Sequence, residues 1–303
     1  MSRPQETVGG SGGTFGASAG TSGASAGISG ASGAFGGETG ETGEIGEIGE
    51  IGEITISTDG LPEWLGPVVR AAKTVEPEQL SRFLPPDSGG RASAVLILFG
   101  DGGGTDGGTD GAVTPAAGRA TARTGGAGAR AANGHRPELL LMERAGTLRS
   151  HAGQPSFPGG ALDPEDGDPR TVGPLRAALR EAWEETGLDP SGVQIFGVLP
   201  QLYIPVSGFV VTPVLGWWRT PSPVGPVDPA ETARVFTVPV AELTDPANRA
   251  VTTHPSGHKG PAFLVRDALV WGFTAGVIDR LLHFSGWERP WDRTKHVPLD
   301  WSA

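Results

Sequence analysis

Two glycine-rich stretches decide how much of this 303-residue chain can gather around a core. Residues 1–53 run through TSGASAG-type repeats into GETGETGEIGEIGEIGEI, and residues 100–134 are almost as poor in bulky apolar side chains. Neither stretch can bury enough apolar surface to offset the entropy of ordering glycine-rich backbone, so both are predicted to be disordered. The Gly-Glu-Xaa period of three is that of a collagen repeat, but the proline which that helix needs is missing. A flexible, glycine-rich acidic tail over 1–55 is the reading that remains. About 215 residues are left, enough for one domain with a full core. The domain is placed over 58–303, with an N-terminal helical segment at 58–90 and a disordered insertion at 100–136.

Charge and composition narrow the partners. The net charge is −11; six of those charges are tail glutamates, Arg3 and Glu6 cancel, and five remain on the body. A mildly acidic body argues against broad nucleic-acid or anionic-membrane binding, so any phosphate recognition has to come from a local cluster. The absence of cysteine excludes disulfides, thiol catalysis and cysteine-ligated zinc. The first residues lack a basic start followed by an apolar core. The apolar stretch from Phe263 to Phe284 is broken by Arg266, Asp267, Asp279 and Arg280, too many charges for a membrane span. The expectation is a soluble, cytoplasmic protein.

Along the body, order is predicted to begin near Leu61, with a short amphipathic helix through Trp64, Val68 and Ala72 and a second helix over Glu78–Leu84 stopped by Pro85-Pro86. Ala92–Phe99 and Glu138–Glu143 read as a hairpin whose connection the insertion has expanded, at little extra closure entropy. A helix over Pro174–Thr186 ends at Gly187. Strands follow at Val193–Leu199, Gly208–Trp218 and Arg234–Val238, then a short helix at Val240–Leu243, a strand at 261–266 and a long helix over Leu269–Phe284. Strands mixed with two main helices, without regular alternation, suggest a mixed α/β sandwich rather than a doubly wound sheet.

The Pro174–Thr186 helix carries the chemistry. Glu181, Glu184 and Glu185 lie on one side of it, opposite a stripe of Leu175, Ala178, Leu179, Ala182 and Thr186. Stacked like charges weaken a helix unless something neutralises them, and a hard cation with oxygen ligands would. Three glutamates alone would suit an ordinary solvated face, with Arg180 pairing to Glu184 at i+4. The preceding Phe157-Pro158-Gly159-Gly160 shifts the balance, because glycines there let main-chain groups approach a metal or phosphate closely.

FPGG, the acidic residue after a five-residue gap and REAWEETGL together resemble the signature box of the Nudix hydrolases. That pattern is Gly, five residues, Glu, seven residues, then Arg-Glu-aliphatic-any-Glu-Glu-any-Gly-aliphatic. Arg180, Glu181, Ala182, Glu184, Glu185, Gly187 and Leu188 match every fixed position of the second half. The first half departs twice: Asp166 stands for the glutamate, and thirteen residues separate it from Arg180. Asp163 or Asp168 could occupy the same space as Asp166, with the spacer bulging before Pro174. Upstream, Leu139 to Gly160 is similar to the second signature of the coenzyme A pyrophosphatase subgroup, LLxxR[SA], three residues, Arg, three residues, Gly, three residues, FPGG. Arg144-Ala145, Arg149, Gly153 and Phe157 fall in place. Leu199-Pro200, Pro205–Gly216, Phe236–Pro239 and Val270–Ala275 extend the likeness over most of residues 92–285.

The resemblance implies an α/β Nudix fold, an α/β/α sandwich with a mixed sheet, and metal-dependent hydrolysis of coenzyme A or acyl-CoA to 3′,5′-ADP and 4′-phosphopantetheine. It implies Mg²⁺ or Mn²⁺ held by Glu181, Glu185, Glu184 and the Gly159 carbonyl, with Glu181, Glu185 and Arg180 as the catalytic set. Arg180 orients the glutamates. Arg144, Arg149 and His151 supply donors for the substrate phosphates, beside Gly160 of the same turn. Glu181 is the first choice of general base, with Glu231 and Asp166 as alternative bases or extra ligands. Other readings are a pyrophosphatase for ADP-ribose or NADH, and a non-catalytic Nudix-fold module. A homodimer contact through Trp287, Trp291 and Trp301 is the alternative to simple packing of those rings.

Overall fold

A computed structural model describes residues 54–102, 134–146, 153–254 and 257–299. The expected tail and insertion lie outside the described residues except at their margins, as do Arg149, His151 and Trp301. At those margins the chain is already engaged. The Ser57 N–H donates to the Ile195 carbonyl at 3.0 Å and Ile54 packs on the core, so the body starts ahead of Leu61.

One mixed sheet contains β1 (Arg91–Asp101), β2 (Pro137–Arg144), β3 (Pro155–Ser156), β4 (Gly159–Ala161), β5 (Val193–Val198), β6 (Leu202–Ile204), β7 (Phe209–Trp218) and β8 (Thr232–Pro239). The expected β1–β2 hairpin forms, and its ladder runs on through Asp101↔Pro137, so the connection is shorter than 100–136. β7 lies parallel to β1 from Arg91↔Phe209 to Phe99↔Trp217, with β5 and β6 antiparallel on its far edge and β8 antiparallel to β2.

Side chains of a strand point alternately to its two faces, and both faces of this sheet are covered. Ala94, Leu96 and Leu98 of β1, with Leu140 and Met142 of β2, face the helix α3 (Gly173–Thr186). Ile97 and Phe99, with Leu139 and Leu141, face the other way, toward α1 (Gly66–Thr74) and α5 (Gly272–Phe284). This is the expected α/β/α sandwich, and it explains why β1 reads as a continuous apolar run.

Three expectations need correction. The second short helix, α2, covers only Pro77–Leu80, because proline at 85 disfavours helical backbone just before it; the Phe83 carbonyl instead accepts from the Tyr203 N–H. The last helix does not begin at Leu269: Ala268–Val270 forms a hairpin strand with Lys259–Val265. Its two-residue turn, Arg266-Asp267, has φ of 50° and 58°, a turn geometry that Asn-Gly signals and Arg-Asp hides. Finally, there is a second, four-stranded sheet that was not anticipated, made of β9 (Arg249–Thr253), β10 (Lys259–Val265), β11 (Ala268–Val270) and β12 (His296–Val297). The short helix α4 (Val240–Leu243) falls as expected.

Trp64, Trp217, Trp287 and Trp291 pack within the chain. Trp64 meets Trp217 edge-on at 5.4 Å and Phe99 and Trp287 at 6.4 Å, fastening the N-terminal segment to the sheet. Trp291 covers Arg249, whose guanidinium is sandwiched at 4.4 Å from that ring and 4.5 Å from Phe263. Arg249 is only 1% exposed; it donates to Asp279, while its Nε and Nη1 have no hydrogen-bond partner. Asp279→Ala would strand this buried cation and is expected to cost about 3–5 kcal/mol in equilibrium unfolding. A loss under about 1 kcal/mol would show that the two ring faces suffice.

Candidate active site

The helix α3 starts at Gly173 with Pro174 in its first turn, where the fixed φ costs nothing, and ends at Gly187, whose φ of 68° is left-handed. Leu175, Ala178, Leu179, Ala182 and Thr186 are buried against the sheet, which turns Glu181, Glu184 and Glu185 outward. The end of the helix is tied to the loop before β8. Gly225 N–H donates to the Thr186 carbonyl at 2.9 Å and Val227 N–H to the Glu185 carbonyl at 3.4 Å.

Arg180 organises the acidic face. Its Nε and Nη2 donate to the two oxygens of Asp166 at 3.2 and 2.9 Å, and Nη2 also donates to the Ala161 carbonyl at 3.1 Å. Nη1 donates to Glu181 at 3.1 Å and Glu184 at 2.9 Å. Every N–H of the guanidinium thus has an acceptor. Burial works against its charge, yet Asp166, Glu181 and Glu184 outweigh that and hold Arg180 above its ordinary value. A single helical turn at Pro164–Asp166 buries Asp166 to 3% exposure beneath Arg180. The extra residues of the long spacer fold into a turn ahead of the helix, where the Thr171 and Gly173 N–H groups donate to the Asp168 carbonyl at 3.1 and 3.0 Å. Asp163 reaches the same guanidinium at 3.6 Å, whereas Asp168 pairs with Arg170 instead.

Glu185 sits deeper. Its Oε2 accepts from the Gly159 N–H at 2.9 Å, and its Oε1 faces Arg144 Nη1 at 3.8 Å. Burial pushes its carboxyl up to about 7; the Gly159 N–H and Arg144 pull it down, and the negative charges of Glu181 and Glu231 add to the rise. Glu181 is raised as well, by burial first, with Arg180 opposing. Glu231 is brought within range by the main chain, since its carbonyl accepts from the Ala145 N–H at 2.8 Å, next to Arg144.

The glycines of FPGG serve this arrangement. Gly159 pairs with Val95 at φ 154°, and a Cβ there would lie 2.3 Å from the Ala94 carbonyl oxygen. At Gly160 a Cβ would meet the Glu181 carboxylate at 2.3–2.6 Å, so its bare backbone is what lets Glu181 lie against the turn.

The donor set fits a hard divalent cation. It is made of carboxylate oxygens, and burial raises the two carboxyls that a cation would neutralise. Among the described residues no three acidic or imidazole groups form a ready-made cage. Oxygens that a cation would use are instead engaged by Arg180 and Arg144.

Of the residues singled out from sequence, the structure brings together Arg144, Gly159, Gly160, Glu181, Glu184, Glu185 and Glu231, and places Asp166 behind them under Arg180. Arg149 and His151 lie outside the described residues. Sequence reasoning missed the Gly159 N–H as the fixed partner of Glu185, and no signal short of the β1–β4 register could have supplied it.

The NUDIX domain family matches residues 122–256. Similar chains include the uncharacterized Nudix hydrolase NudL of Cronobacter sakazakii, 42% identical over 148 residues, 48% of this chain and 73% of that relative. The NudL of Photorhabdus laumondii is 38% identical over 149 residues, 48% and 76% of the two chains. Among solved structures, a Nudix hydrolase from M. smegmatis, RenU, is 16% identical, with 67% of this chain and 95% of that one covered at a TM-score of 0.37. The chain belongs to the Nudix hydrolase family. Its chemistry is that of a pyrophosphohydrolase of small nucleotide-type molecules, a class that generally works with divalent cations such as Mg²⁺ or Mn²⁺. No helix among the described residues is long and apolar enough to cross a membrane.

The close approach at Gly160 makes a direct test. Gly160→Ala forces only the end of a flexible side chain to move, so thermal stability should hold while turnover falls by about a hundredfold as Glu181 is displaced. Unchanged turnover would show that Glu181 works from another position.

Proposed function

We propose that this protein hydrolyses the diphosphate of coenzyme A or its acyl derivatives to 3′,5′-ADP and 4′-phosphopantetheine. The observation that carries the reading is the position of Arg144. It opens the Arg144–Gly160 segment that resembles the coenzyme A pyrophosphatase signature, and it stands 3.8 Å from Glu185 on the acidic helix. A forked cation beside the carboxylate face suits a substrate whose phosphates must be held against that face.

In this scheme Glu181, Glu184 and Glu185 would hold the divalent cation, with the Gly159 carbonyl as a further donor. A cation held there would supply neutralisation of the diphosphate charge and a more acidic water. Arg180, gripped by Asp166, keeps Glu181 and Glu184 in place. This assigns Asp166 to positioning rather than to proton transfer or metal ligation. Glu181 takes the proton of the attacking water, with Glu231 as the second candidate. Arg144 and, by the motif, Arg149 and His151 hold the phosphates, beside Gly160. The contacts of Trp287 and Trp291 within the chain favour simple packing of those rings over a homodimer contact. The retention of all three box glutamates favours an enzyme over a binding module.

Mass spectrometry of the products from coenzyme A with Mg²⁺, beside ADP-ribose and NADH, tests the reading. A higher kcat/KM for a substrate lacking the 3′-phosphate would defeat the choice of coenzyme A. Glu185→Gln should fold normally and lose at least about a hundredfold in kcat; full activity would sink its assignment as a ligand.

A further inference from the structure

Glu185 has two oxygens with partners of different kinds. Oε2 is held by the Gly159 N–H, and that amide cannot withdraw: β4 is paired to β1 at Val95↔Gly159, and the turn is too tight to admit a Cβ. Oε1 faces Arg144, whose backbone is equally fixed. Its N–H donates to the Gln154 carbonyl at 3.2 Å, and its carbonyl accepts from the Gly153 N–H at 3.0 Å. The Arg144 side chain, however, is 33% exposed against 12% for Glu185, so it is the partner that can leave. A long arginine side chain anchored at its Cα can swing its guanidinium by several ångströms at little cost.

We propose that Arg144 couples cation binding to substrate binding: it is the counter-ion of Glu185 before the cation arrives and is released to the substrate diphosphate once a cation takes that carboxylate. This deepens the proposed function and rests on its reading of Glu185 as a cation ligand. One guanidinium serves two anions that do not need it simultaneously. Before loading it offsets a buried carboxylate, and after loading that role passes to the cation. The coupling is reciprocal, so the diphosphate also favours the cation-loaded form by drawing Arg144 away from Glu185.

Two binding measurements test it, neither of them turnover. The first titrates Mn²⁺ by electron paramagnetic resonance into nucleotide-free wild type, Arg144→Met and Glu185→Gln. The second titrates α,β-methylene-ADP, a non-hydrolysable nucleoside diphosphate, by calorimetry in EDTA and at saturating Mn²⁺. Arg144→Met should tighten Mn²⁺ about two- to fivefold, because the competitor for Oε1 is gone. The same variant should weaken the diphosphate about tenfold with Mn²⁺ and by no more than about twofold in EDTA, where the wild-type Arg144 is occupied by Glu185. Unchanged or weaker Mn²⁺ binding in Arg144→Met overturns the proposal, as does an equal loss of diphosphate affinity in both conditions. Mn²⁺ binding that is indifferent to Glu185→Gln overturns instead the reading of Glu185 as a ligand.

Discussion

Five N–H groups on one arginine hold the acidic face of this protein in a usable arrangement. Arg180 bridges Asp166 and the Ala161 carbonyl on the turn side to Glu181 and Glu184 on the helix side. Without it, carboxylates stacked one turn apart would repel one another and splay into solvent. A lysine could neutralise the charge but could not span both sides, because the planar fork is what ties the turn to the helix. The pair Asp166–Arg180 therefore sets the distance between the FPGG segment and the helix, and the glutamates inherit their positions from it.

That arrangement depends in turn on how the sheet is covered. β1 is the hinge of the fold. One of its faces packs on α3, the other on α1 and α5, and β4 pairs along it to present Gly159 and Gly160. The same strand thus supplies the floor beneath the catalytic helix and the register of the turn that meets it. Burial of Glu185 follows from this geometry, and so does the upward push on its carboxyl. A buried carboxylate that keeps a fixed N–H on one oxygen and a movable cation on the other is prepared to exchange that cation for another.

Much of this was legible in the sequence because it is local. The α3 helix, its buried stripe, its closing glycine and the outward glutamates follow from a 3.6-residue period and were placed within a residue of their observed bounds. The two arms of the β1–β2 hairpin were equally clear as apolar runs. The second sheet was not, since β11 is three residues long and its turn uses Arg266-Asp267 in a conformation those residue types seldom adopt. The role of Asp166 was also hidden. The spacer between it and Arg180 is longer than the family pattern, and only the structure shows the extra chain turning back on the Asp168 carbonyl ahead of the helix while the Asp166 carboxylate meets the guanidinium.

The sequence by itself determined the family, the acidic helix and the basic segment before FPGG, because each is a pattern of neighbouring residues whose spacing is fixed by covalent geometry. Tertiary structure alone decided which groups meet across the chain. It placed the Gly159 N–H on Glu185, the Glu181 carboxylate against Gly160, Asp166 beneath Arg180 and Arg144 beside Glu185. Those contacts join residues on different elements, and only the pairing of β4 with β1 and the packing of α3 on the sheet bring them within reach of one another.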